Sequence, residues 1–415
     1  MSFQKPLLKL LKSTLFRLLF FIITFFFSLV FLFRFTPPST VEEYGPNDPY
    51  GPAYPNISRP VKQGDPRLQL HGSLITEPLV SPLIPQTHPS LRANAAIVIL
   101  CRNSDLGQML DTLSQFEDVF NREFGYPYVF INDVPFTPQF KNTIRQATRN
   151  LVEFGEVESE SWSYPSWINQ TKAEECMHKM EDDGVIYGGS LSYRHMCRFY
   201  SGFFFRHPLV RKYDWYWRVE PGVSFLCKIP YDPFVYMHQN NKEYGFVISL
   251  LEVAKTIPTL WEVTRDFAMS NGIGREQSKL LRFFVNDETG DLGDYNMCHF
   301  WSNFEIARRT LFDSPTYLSY FNHLDRAGGF FYERWGDAPI HSLALPLLGL
   351  NKSQVHFFND IGYQHEHLTH CIDHVGQFQN TCQCGGRRNF DRDESSCLQR
   401  WVEYQEKEWT WWDPL

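Results

Sequence analysis

Two acidic residues stand in sequence surroundings that are typical of a pocket for carbohydrate. Glu305 ends a run of aromatic and amide side chains at residues 295–305. Glu220 follows the aromatic, β-prone residues 214–219 and immediately precedes a Pro-Gly pair that should end a strand. Aromatic and amide side chains commonly bind sugars. The two acids among them are therefore predicted to act on a bound carbohydrate.

Glu220 is also the candidate ligand for a divalent cation. Arg218 and Glu220 lie two residues apart on the predicted strand, so both side chains should lie on the same side of it. Hard cations such as Mn²⁺ and Mg²⁺ prefer carboxylate and phosphate oxygens, as in a sugar-nucleotide pyrophosphate. The alternative is an acid that only pairs with Arg218. Asp391 and Asp393 have Asp-x-Asp spacing, but no apolar strand precedes them and they predict a solvated loop.

The body of the protein begins with a strand, a helix and a second strand. Residues 95–101 are a continuous apolar run, residues 106–116 carry apolar side chains at helical spacing, and residues 126–131 are again apolar. This order predicts a parallel, mostly buried sheet. Ligands of such sheets bind beyond the carboxyl ends of the strands, so Arg102 and Asp133 are expected beside a nucleotide. The alternatives are a surface arginine and a turn aspartate.

A third segment, residues 193–202, mixes basic groups with phenols at helical spacing. Arg194 and Arg198 stand four residues apart and would share one helix face. Two guanidinium groups on one face can clamp a diphosphate. The alternative is a core helix with a charged rim.

The N-terminus predicts a membrane anchor. Basic residues precede a charge-free apolar run at residues 18–33, and Arg34 closes it. At about 1.5 Å per residue the run gives roughly 24 Å of helix, which suits a thin bilayer. The positive-inside rule then places the N-terminus in the cytosol and the rest of the chain on the far side. A cleaved signal peptide is the alternative.

These features predict a cytosolic tail at residues 1–17, a transmembrane signal anchor at 18–33, a Pro-rich lumenal stem at 34–92 and a catalytic domain at 93–415. The formal net charge of −8 argues against nucleic acid as a partner, because nucleic-acid binding needs a basic footprint. Asn56, Asn169 and Asn351 begin Asn-x-Ser/Thr sequons, which are compatible with glycosylation in the secretory pathway.

All nine cysteines lie beyond the predicted anchor, so disulfides are expected. The last four, Cys371, Cys382, Cys384 and Cys397, predict a stapled C-terminal subdomain, and the odd total leaves at least one thiol unpaired. A competing interpretation is a zinc site of Cys371, Cys382 and Cys384 with His365, His367 and His370. Oxidation would consume the thiolates that zinc needs.

Several longer blocks resemble one family. They are residues 193–202, 217–223, 231–234, 244–249, 256–261, 295–306 and 328–342. Together they closely resemble the fungal α-1,2-mannosyltransferases of the Golgi, glycosyltransferase family 15. The resemblance spans residues 95 to about 400.

The resemblance implies an α/β, GT-A-like nucleotide-sugar transferase fold with a mixed central sheet flanked by helices. It implies GDP-mannose as donor, Mn²⁺ as cofactor and a mannosylated glycoprotein or oligosaccharide as acceptor. The reaction would be α-1,2 transfer that retains the α configuration, on O-linked or N-linked glycans. The protein would be a single-pass type II protein of the Golgi membrane with a lumenal catalytic domain.

Carried over by residue, the resemblance makes Glu305 the candidate nucleophile and Glu220 and His365 the metal ligands. It places Arg218 and Asp337 on the acceptor side. The predicted donor-binding residues are Arg102, Asp133, Tyr193 and Arg198. The resemblance suggests Arg102 and Tyr193, and the sequence patterns above suggest Asp133 and Arg198.

Two departures from the family pattern affect these assignments. Val134 stands where the family has Glu, which removes a charge near the donor edge. Glu366 and His367 follow His365 where proline is more usual, so His367 competes with His365 as a ligand, and His341 is a further alternative.

Other functions remain open from the sequence. Glu305 is alternatively an acid capped by Asn303 and Ser302 at a helix start. The whole chain is alternatively a mannan-binding, lectin-like or scaffold protein, since its 11 Trp, 20 Tyr and 37 Phe also suit sugar stacking. A covalent mannosyl intermediate and same-face attack by the acceptor both give retention.

Overall fold

A seven-stranded mixed sheet forms the centre of the molecule. The computed structural model describes residues 92–274, 279–286, 292–371 and 382–406. All of these residues belong to one compact unit. The predicted tail, anchor and nearly all of the stem lie outside the described residues. Within the described ranges, no helix combines the length and the apolar character needed to cross a bilayer.

Fourteen strands are present in the described part of the chain. They are β1 (Ala95–Leu100), β2 (Tyr128–Asn132), β3 (Val152–Glu156), β4 (Trp215–Arg218), β5 (Ser224–Phe225), β6 (Tyr244–Phe246), β7 (Ser249–Leu251), β8 (Val285–Asn286), β9 (Asp294–Tyr295), β10 (Cys298–Phe300), β11 (Glu305–Arg308), β12 (Val355–Phe357), β13 (Tyr363–His365) and β14 (Leu368–His370).

The α-helices of the described residues flank these strands. They are α1 (Leu106–Phe116), α2 (Arg122–Phe124), α3 (Pro138–Ala147), α4 (Gln170–Asp182), α5 (Leu191–Gly202), α6 (Pro233–Gln239), α7 (Leu260–Ser270), α8 (Leu281–Phe284), α9 (Arg309–Phe312), α10 (Pro315–Ala327), α11 (Gly329–Tyr332), α12 (Asp337–Leu347) and α13 (Leu398–Glu406). A π-helical turn, Glu117–Asn121, joins α1 to α2.

The strands of the central sheet follow the order β12-β6-β11-β4-β1-β2-β3. Parallel pairing joins β1 to β2 and to β4, while β11 runs antiparallel to both of its neighbours, β4 and β6. The expected parallel β1-α1-β2 unit is confirmed, and so is the mixed sheet. The reversal at β11 brings the start of that strand to the same edge at which β4 ends.

Both faces of the sheet are covered. Along β1, Ala96 and Val98 face one hydrophobic cluster, and Ile97 and Ile99 face the other. A strand with two buried faces reads as a continuous apolar run, because neither set of alternate side chains meets water. This explains the uninterrupted apolar sequence of β1.

The disulfides differ from the predicted C-terminal subdomain. Only Cys371–Cys384 joins two of the last four cysteines, whereas Cys227–Cys382 and Cys298–Cys397 tie the C-terminal segment to the body. The thiols of Cys101, Cys176 and Cys197 are free. In the described residues the sulfurs of Cys227, Cys371 and Cys382 lie close together, but each is in a disulfide and is no thiolate for zinc.

Candidate functional site

The carboxyl edge of the central sheet collects most of the predicted site residues. Arg102 follows β1, Asp133 follows β2, and Arg218 is the last residue of β4. Glu305 begins the antiparallel strand β11 and pairs in register with Arg218. Directly opposed residues of an antiparallel pair project to the same face. The edge therefore places Glu305 beside Arg218, on the face that also carries Tyr216.

Glu305 is enclosed by protein in this structure. Its side chain is 0% exposed. The Tyr216 hydroxyl donates to Oε1, and Nδ1 of His341 lies 2.8 Å from Oε2. The alternative of an acid at a helix start is wrong, because Glu305 begins a strand and both of its oxygens contact side chains of other elements.

Arg218 lies at the centre of a buried charge cluster. Its Nη1 donates to Asp337 Oδ2 at 2.5 Å and to Ser302 Oγ at 3.2 Å. Its Nε donates to Oε1 of Glu220 at 2.9 Å, and Nη2 donates to the same oxygen. Oε2 of Glu220 has no hydrogen bond to any other described residue. The guanidinium carbon lies 3.4 Å from the centre of the Tyr200 ring.

The pKa shifts of this cluster follow from its charges. Burial alone would raise the pKa of Asp337, but the Arg218 guanidinium and, next, His341 hold it below its usual value. Burial likewise opposes the charge of Arg218, yet Asp337 and Glu220 raise the pKa of Arg218 well above its usual value. Both groups are therefore ionised at neutral pH.

The turn after β4 is held by α1. Gly222 has a φ of 85°, a left-handed conformation that glycine adopts without strain. Its N–H donates to Thr112 Oγ1 at 3.0 Å, and that hydroxyl donates to the Val223 carbonyl at 2.8 Å. The predicted strand therefore ends at Arg218, so Glu220 lies between β4 and a turn that a buried threonine holds in place.

His365 reaches the same edge from a small sheet of β14, β13 and β5. Its ring stacks on Trp301 at 4.9 Å, and its Nδ1 lies 2.6 Å from Nδ2 of Asn303. Tyr363 donates to Asn303 Oδ1 at 3.0 Å, and burial, followed by the Glu220 charge, raises the pKa of Tyr363 well above its usual value. Asn303 and Tyr363 therefore link His365 to the surroundings of Glu220.

These residues fit a divalent cation. A carboxylate oxygen and an imidazole nitrogen are ligands that Mn²⁺ accepts. The amide of Asn303 can turn its oxygen to Nδ1–H of His365, because the Tyr363 hydroxyl accepts as well as donates. That orientation leaves Nε2 of His365 for an ion, and a partner at the other ring nitrogen is usual for a metal-bound histidine.

The two alternative histidine ligands have different surroundings. His367 is exposed in the two-residue turn between β13 and β14. His341 is 0% exposed, with Nδ1 facing Glu305 and Nε2 lying 3.1 Å from the Tyr200 carbonyl oxygen. Since both ring nitrogens of His341 are engaged in the protein interior, it is unsuited to hold an ion.

The donor-edge residues lie where the parallel sheet predicts them. Arg102 is exposed, and its Nη2 donates to Ser192 Oγ at 2.8 Å. Asp133 is partly exposed beyond β2, and its N–H donates to Asn132 Oδ1 at 3.0 Å. Asn132 is buried, and its Nδ2 has no hydrogen-bond partner in the described structure. These groups leave polar atoms at the edge for a ligand.

Tyr193 is half of an aromatic pair. Its ring stacks on Tyr187 at 4.5 Å with a 12° tilt, and the guanidinium carbon of Arg334 lies 5.2 Å from the ring centre. Burial raises the pKa of Tyr193 well above its usual value. Tyr187 has a positive φ of 56° and an exposed ring. Burial, followed by the charges of Glu366 and Glu220, raises the pKa of Tyr187, so this ring lies near the candidate metal ligand.

The predicted diphosphate clamp of Arg194 and Arg198 does not fit the structure. Arg198 is 3% exposed and binds both oxygens of Asp325, at 2.7 and 2.8 Å. Arg194 donates to the carbonyl oxygens of Tyr187, Ser190 and Glu333. Burial, and next the charge of Arg334, lower the pKa of Arg194 to about 10. Helical spacing put the two arginines on one face, but that face is packed.

Sequence reasoning missed several contacts of the predicted residues. They involve Tyr216, Tyr187 and Arg334, and also His341 and Asn303, which the sequence suggested only in other roles. Only Tyr216 had a local signal, since it lies two residues before Arg218 and shares its face of β4. Tyr187 and Tyr193 are close together in the chain, but no sequence pattern predicted that their rings stack. The remaining contacts join segments far apart in the chain, and periodicity carries no information about them.

Comparisons with known proteins identify the family of the chain. Residues 67–406 match the model of a family described as glycolipid 2-alpha-mannosyltransferase. The O-glycoside alpha-1,2-mannosyltransferase homolog 3 of Schizosaccharomyces pombe is 48% identical over 311 residues, covering 75% of this chain and 82% of that protein. Alpha-1,2 mannosyltransferase KTR1 of Saccharomyces cerevisiae is 47% identical over 307 residues, covering 74% of this chain and 77% of that protein.

Solved structures show the same fold. The mannosyltransferase Ktr4p of S. cerevisiae, in complex with GDP, aligns with a TM-score of 0.74 and 36% identity over 83% of this chain and 91% of that one. Core-mannan synthase A of Aspergillus fumigatus, in a Mn/GDP form, aligns with a TM-score of 0.70 and 38% identity over 77% of this chain and 87% of that one.

Proposed function

We propose that this chain, which belongs to the glycolipid 2-alpha-mannosyltransferase family, transfers mannose from GDP-mannose to a mannose of a glycan in an α-1,2 linkage. The observation that carries the proposal is the GT-A-like sheet edge on which Arg218 joins Glu220 and Asp337, next to Glu305. The acceptor is a mannosylated glycoprotein or oligosaccharide, and the reaction retains the α configuration.

The donor lies along the carboxyl edge of β1 and β2. Arg102 is exposed there and offers its guanidinium to a phosphate or ribose oxygen, while Asp133 and the amide of Asn132 offer polar contacts. Tyr193, backed by Tyr187 and Arg334, supplies a phenol next to these groups. Arg198 is not part of this set, because Asp325 already engages its guanidinium.

Glu220 and His365 hold Mn²⁺ in this proposal. When bound, the ion neutralises the negative charge that develops on the departing diphosphate. The side chains prepare this position before the ion binds: Arg218 holds Oε1 of Glu220, and Asn303 orients the ring of His365. Preorganised groups of this kind are usually the largest contribution to catalysis.

Glu305 is the proposed catalytic carboxylate. Positive charge builds on the anomeric carbon as the sugar leaves the diphosphate, and a carboxylate close to that carbon lowers the barrier. In this structure the side chains of Tyr216 and His341 cover both carboxylate oxygens. A direct contact between Glu305 and the sugar therefore requires that one of these two contacts opens. Arg218 and Asp337 lie on the acceptor side and orient the hydroxyl that attacks.

The deciding assay incubates the protein from about residue 90 with GDP-mannose, Mn²⁺ and a panel of α-mannosides, followed by linkage analysis. We expect an α-1,2-linked product. Glu305→Gln should retain GDP binding and lose transfer by about 100-fold or more. The matched control is Glu117→Gln, because Glu117 is also buried and accepts from a tyrosine, Tyr128, at 2.7 Å but lies away from the edge. Mannoside binding without any turnover of GDP-mannose would indicate a lectin-like protein instead.

We also propose that the catalytic domain faces the Golgi lumen behind a type II signal anchor at residues 18–33. Three disulfides in the described residues support an oxidising compartment. Exposed Asn169 and Asn351 are accessible to glycosylation. Protease protection of a C-terminal tag in sealed microsomes tests this topology, and cleavage of the tag without detergent would contradict it.

A further inference from the structure

The contact between His341 and Glu305 determines where the protons of this pair lie. Nε2 of His341 is 3.1 Å from the carbonyl oxygen of Tyr200. A carbonyl oxygen only accepts hydrogen bonds, so Nε2 carries a proton. Nδ1 is 2.8 Å from Oε2 of Glu305. Two lone pairs at that distance would repel each other, so a further proton lies between Nδ1 and Oε2.

The second carboxylate oxygen is also accounted for. The Tyr216 hydroxyl donates to Oε1 of Glu305, and burial followed by the Glu305 charge raises the pKa of Tyr216 well above its usual value. The phenol therefore keeps its proton. The pair then exists either as carboxylate with imidazolium or as carboxylic acid with neutral imidazole, and the two forms have the same net charge.

We propose that His341 is a positioning residue for catalysis, which shares one proton with Glu305 and keeps that acid oriented and charge-balanced in the interior. The inference rests on the catalytic role proposed above for Glu305. His341 itself offers no ring nitrogen to a substrate, because Nδ1 faces Glu305 and Nε2 faces the Tyr200 carbonyl oxygen. Its ring is held by stacking on Phe312 at 4.3 Å and by the Tyr200 carbonyl.

No other base in the described surroundings can take this proton. The phenols of Tyr216, Tyr244 and Tyr317 face Glu305, and burial raises the pKa of each well above its usual value. Asp337, one helical turn before His341, and Arg218, opposite Glu305 on β4, are already paired with each other. His341 is thus the one described neighbour that is placed to share a proton with Glu305.

This arrangement has a consequence for the reaction. An isolated carboxylate in an apolar interior takes up a proton from water and loses its charge. With His341 beside it, the shared proton can reside on the imidazole, and the imidazolium then balances the charge of the Glu305 carboxylate. The anion is the form that stabilises positive charge at the anomeric carbon.

His341→Asn tests the proposal, because asparagine places an N–H near the position of Nδ1 but takes up no proton. We expect kcat/KM to fall about 10-fold or more at pH 6, and the acidic side of its pH profile to move up by about one pH unit. His356→Asn is the matched control. His356 is also buried, packs against Tyr236 and lies outside the site, so the pH profile of this variant should equal that of wild type. A folded His341→Asn protein with the wild-type pH profile overturns the proposal.

A second measurement does not need turnover. The melting temperatures of wild type, Glu305→Gln, His341→Asn and the double variant form a cycle. We expect His341→Asn to cost much less in the Glu305→Gln background than in wild type, and strictly additive shifts would contradict the shared proton. If wild type itself transfers no mannose, the proposed function fails, while this cycle still reports on the pair.

Discussion

Arg198 and Arg218 are two buried arginines of similar exposure, 3% and 4%, in two regions with different tasks. Arg198 has one carboxylate partner, Asp325, which occupies its guanidinium from Nε and Nη2. Arg218 has two, Asp337 and Glu220, and the Glu220 side chain is 20% exposed. The Arg198–Asp325 ion pair is complete and joins two helices. Arg218 instead has two carboxylates for one positive charge, and one of them, Glu220, is exposed enough to contact a ligand.

The largest expected effect concerns the Arg198–Asp325 ion pair. Arg198→Met strands the carboxylate of Asp325 in the interior, so the free energy of unfolding should fall by about 3–5 kcal/mol. The kcat of the remaining folded enzyme should be unchanged. Chemical denaturation and transfer assays measure both quantities, and Arg198→Met with Asp325→Leu should recover most of the stability. A large drop in kcat with normal stability would place Arg198 in the donor site after all.

Arg218→Lys addresses the other region. Lysine keeps the charge but lacks the planar fork that contacts Glu220, Asp337 and Ser302 together. We expect kcat/KM to fall about 100-fold, which corresponds to about 2.7 kcal/mol. The melting temperature should change by only a few degrees. If Arg218→Lys is strongly destabilised but its folded fraction keeps full activity, Arg218 contributes to stability like Arg198 and not to the site.

Glu220→Gln tests whether Glu220, the more exposed partner of Arg218, is a Mn²⁺ ligand. A neutral amide is a weaker ligand for Mn²⁺ than a carboxylate, so the Mn²⁺ concentration for half-maximal transfer should rise about tenfold. Asp391→Asn is the matched control, because Asp391 belongs to the Asp-x-Asp pair but contacts His370 at 2.8 Å instead of the site. Equal Mn²⁺ dependence in Glu220→Gln and wild type would remove Glu220 from the metal site.

The smallest effect is a pH dependence of stability. Arg218 lowers the pKa of Asp337 in the folded protein against the opposing influence of burial. A lowered folded pKa contributes stability above the unfolded value near 3.9, and this contribution is lost as the pH falls through the folded pKa. The stability of wild type relative to Asp337→Asn should therefore be about 1 kcal/mol larger at pH 6 than at pH 3. A difference that does not vary with pH would contradict the ion pair.

Much of the framework was accessible from the sequence because it depends on local patterns. The apolar run of β1 and the helical spacing of α1 predicted a parallel sheet, and such a sheet brings Arg102 and Asp133 to one edge. The strand predicted before the Pro-Gly break is present as β4, but it ends at Arg218, two residues before Glu220. The resemblance of several long blocks predicted the family that the match over residues 67–406 confirms.

The predictions that failed depended on which distant segment covers a given face. Helical spacing shows which residues share a face but not what that face contacts. Arg198 was therefore predicted to bind the donor, whereas it pairs with Asp325 in the interior. Asn303 and Ser302 suggested a helix start at Glu305, but pairing with β4 and β6 makes it a strand. The same limit applies to the disulfides, because spacing within the last four cysteines carries no information about Cys227 and Cys298.

The sequence by itself determined the family, the alternation of strands and helices, and the sheet edge where charged residues collect, because hydrophobic period and turn chemistry act over short stretches of chain. Only the tertiary structure decided that Asp325 closes off Arg198, that Glu220 and Asp337 share Arg218, and that Tyr216 and His341 enclose Glu305. These contacts join residues separated by up to 127 positions. Their geometry follows from packing of the whole core, and no local pattern encodes it.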